Sequence, residues 1–303
     1  MDAALTPILA ELNAAAERLW EACAPRCPGL VLDVVPEVDS TNTALMAQGR
    51  RGEVWPTVMV AVRQTAGRGR RGRTWVAQPG DTLTFSLAMP VKLDAVPGGG
   101  SALSLAVGLA VAEALDTHLR GHHAQHAQHA QHANVPPIGL KWPNDLWLGQ
   151  RKLGGILIEA TPAPGLSDGQ RWVVIGVGLN VQPGAAVPGA AWLPSPAPAL
   201  GEVWSWLVPD LLDAVQRFEQ HGFAPLQDAY ARRDVLRGQA VQLWTRANHL
   251  PDNATSASPS GTVTAEPDET GIAQGVDHSG ALLVHTASGH RQWTAGDVSV
   301  RPA

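Results

Sequence analysis

Residues 67–73 read Gly-Arg-Gly-Arg-Arg-Gly-Arg and are followed at once by Thr74 and Trp75. Glycine lets a backbone approach a ligand closely, and arginine forks neutralise phosphate or carboxylate oxygens, so a loop of this composition can close over a polyanion. Gly67, Gly69 and Gly72 also match the G-x-G-x-x-G spacing of a dinucleotide-binding turn. That reading requires a helix opening directly at the glycines. Here Gln78-Pro79-Gly80 follows within a few residues, which predicts a turn and another strand. On these residues alone two alternatives stay open: a solvated basic loop, and a nucleic-acid patch. The second lacks both basic residues elsewhere and interleaved aromatics.

A second set of candidates is Lys141-Trp142-Pro143-Asn144-Asp145-Leu146-Trp147, followed by Lys152-Leu153-Gly154-Gly155-Ile156-Leu157-Ile158-Glu159. Pro143 with Asn144 and Asp145 predicts a turn between strands. Lys152 then heads an apolar strand, so its ammonium would project from a rigid support. Taken singly, a lysine is usually a solvated surface residue and an aspartate in such a turn a turn former. Gly176-Val177-Gly178-Leu179-Asn180-Val181 is a glycine-containing strand for which core packing is the simpler account.

The elements that must position these residues are legible in outline. Ile8, Leu9, Leu12, Leu19 and Trp20 recur at helical spacing over 7–22. A strand follows at 30–35. Asp39-Ser40-Thr41-Asn42 offers caps for a short helix to about Gln48. Strands are predicted at 57–64 and 82–88, a helix at 101–119 capped by Ser101, and strands near 138–142, 144–148, 153–160 and 172–181. A helical segment from about 202 to 221 is expected to break near Pro209. Alternating runs at 240–245, 261–266, 271–276, 281–286 and 291–294 suggest a small β-barrel, with 247–260 a mobile loop inside it.

Composition bounds the possibilities. The 303 residues are 45 % hydrophobic and 16 % charged, enough for one large domain and a small one. The net charge of −5 gives no general attraction to nucleic acid, so any polyanion site must be a local cluster. The longest apolar stretch, 102–115, contains Gly108 and Glu113 and reads as a buried helix rather than a membrane span. The N-terminus has no basic segment ahead of an apolar run, so no secretory signal is expected. Cys23 and Cys27 have no second pair or nearby histidine to complete a metal site and read as reduced thiols. Six of the eleven histidines lie between His118 and His132, where Ala-Gln-His repeats within the low-complexity run 121–133. Such tracts can chelate metals, but expansion of a short coding repeat explains the perfect period equally well, and an inert insertion is the favoured reading.

Taken together and in order, Ser40-Thr41-Asn42, Gln64 ahead of GRGRRGR, KWPNDLW, KLGGILIE and GVGLN resemble the biotin–protein ligase family. The resemblance covers about 38–181 closely and continues more loosely to Gly296-Asp297-Val298-Ser299-Val300. It implies an α/β fold: a mixed β-sheet with helices packed against it, of the class II aminoacyl-tRNA synthetase and biotin ligase kind, plus a small SH3-like β-barrel. The corresponding domains are 1–235, carrying 121–133 as an insertion, and 236–303.

The resemblance also implies roles. Ser40, Thr41, Asn42 and Gln64 fall in the biotin pocket, together with Arg68, Gly69, Arg70, Lys152 and Gly155. Arg68, Arg70, Arg71, Arg73, Trp75, Asn144, Lys152 and Asn180 fall on the nucleotide side. Lys152, Arg70 and Asp145 are the catalytic candidates, and no protein side chain is assigned to a metal. Biotin and ATP are the substrates, with Mg²⁺ carried on ATP and pyrophosphate. A biotin carboxyl carrier protein domain would be the acceptor. The expected enzyme is cytoplasmic, binds no membrane and, lacking room for a winged helix before the first strand, no specific DNA; a homodimer is left open. The rival readings are a lipoate ligase or octanoyltransferase of the same fold, a bifunctional ligase and repressor, and a non-enzymatic nucleic-acid-binding module.

Overall fold

The computed structural model describes residues 5–94, 96–125, 136–184, 187, 189–245, 266–294 and 298–302. Helix α1 (Thr6–Cys23) carries a proline in its first turn, where a missing N–H costs nothing, and buries Leu12, Ala15, Leu19 and Cys23 along one stripe. It is followed by β1 (Val31–Val38), α2 (Thr41–Arg50), β2 (Thr57–Gln64), β3 (Thr82–Lys92), α3 (Gly99–Gln125), β4 (Gly139–Lys141), β5 (Asp145–Leu148), β6 (Arg151–Thr161) and β7 (Gln170–Asn180). These strands form one sheet in the order β1-β2-β3-β7-β6-β5-β4, in which β1 and β2 are parallel and the remaining neighbours antiparallel. Helix α4 (Leu200–His221) returns across the sheet, α5 (Gln227–Ala231) follows, and β8 (Ala240–Thr245), β9 (Glu269–Val276), β10 (Leu282–Thr286), β11 (Gly289–Trp293) and β12 (Val298–Pro302) make a second, antiparallel sheet.

Alternation along the strands separates two faces. Leu83, Phe85, Leu87, Met89 and Val91 of β3, with Val173, Ile175, Val177 and Leu179 of β7, point into the main core beneath α1, α3 and α4. Their neighbours Ala88, Trp172 and Val174 point the other way and close a smaller cluster with Leu45 and Met46 of α2. The rest of that second face is where the candidate site lies.

Two helices differ from expectation for identifiable reasons. Helix α3 opens at Gly99, because the Gly98 carbonyl accepts from Ser101 N at 3.1 Å and Ala102 N at 3.2 Å; Ser101 lies inside the helix. It also runs past 119 to Gln125, into the start of the histidine tract, because α4 supports it. His118 stacks on Trp206 with centroids 5.2 Å apart, and His122 Nδ1 lies 3.3 Å from Glu202 Oε1. Helix α4 continues through Pro209 instead of breaking there, with buried Val208, Leu211 and Leu212 holding it on both sides. Residues 126–133, the loop 247–260 and most of the run expected at 261–266 lie outside the described residues. Residues 99–124 are long and apolar enough to cross a membrane, yet 78 % of the apolar window is buried inside the protein, as a core helix should be.

The second sheet shares the main core. Val241, Leu243, Ala273, Leu282, Val284 and Val300 belong to the same buried cluster as the residues of α1, α3 and α4. Its 277–281 turn seats against the first turns of α3, where a Cβ on Gly280 would come within 2.9 Å of Leu105 and 3.1 Å of Ala102. The Gly280 carbonyl accepts from the indole N–H of buried Trp142 at 3.1 Å.

Phe218 is fully buried on the core face of α4. Phe218→Ala should lower the unfolding free energy in a urea titration by about 3–5 kcal/mol. A loss below about 1 kcal/mol would show that this face of α4 is not the core contact described.

Candidate active site

The strand register builds the floor of the site. Across the sheet one row reads Lys141, Asp145, Gly155, Gly178, Thr84 and Ala61, and the next reads Leu157, Gly176, Ser86 and Met59. Small residues occupy the middle of both rows, so the sheet is hollow there. A Cβ on Gly178 would lie 2.4 Å from the Trp75 ring, and one on Gly176 would lie 2.2 Å from Asn42 Oδ1. Real Cβ atoms do not approach that closely, so these glycines are the space into which Trp75 and Asn42 fit. The result is a cleft of about 1000 Å³, part of it open solvent.

One wall is polar and buried. Ser40 caps α2, its Oγ facing Thr43 N at 3.5 Å, and Thr41 N donates to Gln64 Oε1 at 2.8 Å. Ser86 Oγ donates to Asn42 Oδ1 at 2.6 Å, so in the 2.7 Å contact between Thr41 Oγ1 and Ser86 Oγ the threonine is left as donor. Asn42 Nδ2 in turn donates to Glu159 Oε2 at 3.0 Å and to the Leu157 carbonyl at 3.3 Å. Both amide hydrogens of Asn42 are therefore committed within the protein. Its side chain shapes this wall more than it offers donors to a ligand.

The opposite wall is cationic. The glycine-arginine segment forms a short 3-10 turn over Arg70–Gly72 between two antiparallel arms, closed by the Arg68–Thr74 bridge and by Trp75 N donating to Gly67 O at 2.9 Å. No helix opens at the glycines, so the dinucleotide-turn geometry is not present here. Arg71 sits in the left-handed region at φ 58°, a conformation costing a non-glycine residue about 1–2 kcal/mol. Arg70 turns inward, donating from Nη1 to Asn144 Oδ1 at 3.0 Å. Burial, then the charges of Arg71 and Arg73, push its pKa from the ordinary arginine value down to about 10, opposed by Asp145. It remains a cation at neutral pH, held where an anion would relieve the cost.

The 142–145 turn joins the two walls. Ser104 Oγ holds the Pro143 carbonyl at 3.1 Å, and Asn144 Nδ2 donates to the Ile156 carbonyl at 2.9 Å. Lys152 Nζ donates to Asp145 Oδ1 at 2.7 Å and stands 5.9 Å from the centroid of the Trp75 ring. Lys152 and Arg70 thus reach one small cleft from neighbouring residues of the same turn. Among the described residues no group of three or more His, Cys, Asp or Glu could hold a metal ion.

Of the residues singled out in the sequence, Ser40, Thr41, Asn42, Gln64, Arg68, Gly69, Arg70, Arg71, Arg73, Trp75, Asn144, Asp145, Lys152 and Gly155 line this cleft. Asn180 does not. Its side-chain amide donates to the Ala191 carbonyl at 3.0 Å, and it lines a smaller neighbouring hollow with Asp81, Val187 and Trp192. Sequence reasoning passed over Trp142, which lines the cleft, and Ser86 and Glu159, which hold Asn42 from behind its wall. The available signal was strand alternation: Gly155, Leu157 and Glu159 share one face of β6, as Thr84 and Ser86 share one face of β3.

Residues 34–180 match the model of the biotin/lipoate A/B protein ligase family, and residues 262–301 match the biotin protein ligase C-terminal domain. The biotin–[acetyl-CoA-carboxylase] ligase of Mycobacterium tuberculosis is 32 % identical over 275 residues, covering 88 % of each chain. The bifunctional ligase/repressor BirA of Escherichia coli is 29 % identical over 278 residues, 89 % of this chain and 74 % of that protein. Among solved structures, the biotin protein ligase of Aquifex aeolicus in complex with biotin and ATP superposes with a TM-score of 0.65 at 26 % identity, covering 90 % of this chain and 99 % of that one.

Gly178→Ala should push Trp75 off the sheet and loosen the arginine segment. Amide hydrogen exchange across 66–76 is expected to accelerate about tenfold or more, while strands β3 and β7 keep their protection. Unchanged exchange in that segment would show that Trp75 does not anchor it.

Proposed function

Since the chain belongs to the biotin protein ligase family, we propose that its cleft joins biotin to ATP as biotinyl-5'-adenylate and then passes the biotinyl group to a lysine of a carboxylase's biotin carboxyl carrier domain. The observation that carries this reading is the convergence of Arg70 and Lys152 on neighbouring residues of one turn, opposite a buried polar pocket.

The chemistry needs what this cleft offers. Biotin's carboxylate is ionised at neutral pH, with an ordinary pKa of about 4, so the first step requires no base. It requires two anions to meet. The carboxylate oxygen attacks the α-phosphorus of ATP, a mixed anhydride forms and pyrophosphate leaves. Lys152 and Arg70 stabilise the negative charge gathered there, and Arg68, Arg71, Arg73, Trp75 and Asn144 border the nucleotide. Mg²⁺ would enter on the phosphates of ATP. Ser40, Thr41, Gln64 and Gly155 border the uncharged part of biotin.

In the second step an acceptor lysine, ordinarily protonated with a pKa near about 10.4, must lose a proton before its amine attacks the anhydride carbonyl and AMP departs. Asp145 is the carboxylate best situated to orient that amine. Between the steps the arginine segment shields the anhydride from water. We assign residues 1–235 to the ligase domain and 236–303 to a small C-terminal domain. We propose a ligase without specific DNA binding, a reading supported by the packing of α1 on the main core.

Incubation with ATP, Mg²⁺, biotin and a carrier domain, followed by intact-mass measurement, should show one added biotinyl group that depends on ATP. A lipoyl or octanoyl adduct formed in preference to biotin would overturn the substrate assignment. Lys152→Ala should slow pyrophosphate release by about 10²–10³-fold, the usual cost of removing one donor to developing charge. Normal release would remove Lys152 from the first step. Arg70→Ala should retain part of the adenylation rate yet lose the intermediate to solvent, seen as free biotinyl-adenylate in the filtrate. Equal retention by variant and parent would count against the shielding role.

A further inference from the structure

Glu159 does not line the cleft, yet it is where the two walls are tied together. Its carboxylate receives Arg68 of the glycine-arginine segment on one side, Nη2 to Oε1 at 3.0 Å and Nη1 to Oε2 at 3.2 Å, a paired fork. On the other side Oε2 accepts Asn42 Nδ2 at 3.0 Å. Asn42 accepts from Ser86, and Ser86 from Thr41, whose backbone N–H holds Gln64. The chain of bonds thus runs from the inner pocket through α2, β3 and β6 to the segment that covers the cleft. Its members on α2 and β3 are buried: Thr41 and Asn42 are each 3 % exposed and Ser86 is fully buried.

We propose that Glu159 is a positioning residue that latches the arginine segment over the pocket. This inference deepens the ligase reading and rests on it for the identity of the ligand. Two features favour a latch over a purely structural pair. First, Arg68 is half exposed, with 47 % of its side chain open to solvent, and exposed ion pairs contribute little to global stability. Second, two more of the segment's anchors lie further along it: Arg70, on Asn144, opens the 3-10 turn, and Trp75, on the sheet, lies on the far arm. Arg68 ties the near arm to β6 through Glu159.

Glu159→Gln is the informative variant. The remaining amide oxygen can still accept from Asn42, while the charge that holds Arg68 is gone. The expected outcome is a threefold to tenfold faster escape of biotinyl-adenylate from the enzyme in a filter or chase assay, the range for losing a charge-assisted contact near the surface. KM for biotin should rise by a similar factor, while the single-turnover rate of adenylation at saturating biotin and ATP changes less than twofold. In an Arg68→Ala background, adding Glu159→Gln should have no further effect on escape, because the two act through one contact. In the ligand-free protein the same substitution should speed trypsin cleavage after Arg68 to Arg73, with an unchanged melting temperature. The inference is overturned if escape, KM and trypsin cleavage all match the parent, or if Glu159→Gln is as damaging without Arg68 as with it. A parent enzyme that forms no biotinyl-adenylate would defeat the ligase reading instead, and trypsin cleavage would still decide the latch.

Discussion

Like charges resist being gathered, and this cleft gathers at least five of them. Lys152, Arg68, Arg70, Arg71 and Arg73 all border one space, and the cost is visible at Arg70, where burial and its two arginine neighbours hold the pKa down near about 10. A flexible loop left to itself would let these side chains spread into water. The fold prevents this by giving the inward-facing cations partners that are themselves fixed. Asn144 holds Arg70, Asp145 holds Lys152 and Glu159 holds Arg68, and all three partners stand on the same sheet or on the turn between its strands. Asp145 and Asn144 themselves line the cleft, whereas Glu159 holds Arg68 from behind its wall. For Lys152, an anion entering the cleft exchanges one negative partner for another and leaves no unpaired charge.

That exchange needs room at one particular place on the sheet, which explains where the small residues fall. Gly155, Gly178 and Thr84 stand in register across three strands, with Gly176 and Ser86 one row away. On the opposite face the same strands carry Phe85, Leu87, Ile175 and Val177, as a core requires. One face of β3 and β7 is therefore ordinary packing and the other is a site. A bulky residue at Gly176 or Gly178 would cost little in strand propensity but would evict Asn42 or Trp75 from the cleft.

The pattern of what the sequence revealed follows from this geometry. Period and turn chemistry are local, so the strands around 57–64 and 172–181, the cap at Ser40 and the turn at Pro143-Asn144-Asp145 were all legible. The glycine-arginine segment was legible as a loop able to close over a polyanion, with a solvated basic loop and a nucleic-acid patch left open, and it does line the cleft. The glycines of Gly176-Val177-Gly178 were read as core packing, since nothing nearby in the chain announces that Asn42 and Trp75 come to rest on them. Glu159 and Ser86 escaped notice for the same reason: their partners, Arg68 and Asn42, lie 91 and 44 residues away in the chain. Helix α3 outran its expected end because its last turns lean on Trp206 and Glu202 of α4, a support no window of α3 contains. Asn180 shows the converse. A motif position close in sequence to the glycines belongs in space to the neighbouring hollow.

The second sheet completes the argument by showing how far the positioning extends. Trp142 immediately precedes the turn that carries Asn144 and Asp145, and its indole N–H is buried against the Gly280 carbonyl. That carbonyl is held in turn by the tight 277–281 turn, in which Asp277 Oδ1 accepts from Ser279 N at 2.8 Å and from Ala281 N at 2.9 Å. Only a residue without a Cβ can occupy position 280, at φ 78° and against Leu105 and Ala102. Because Val300 from the same sheet also borders the cleft, the C-terminal residues touch the site once directly and once through Trp142. A shared core joins the two sheets, so a shift of the second sheet cannot be absorbed by slippage between independent bodies. It must be passed on to the turn that holds Arg70 and Lys152 together.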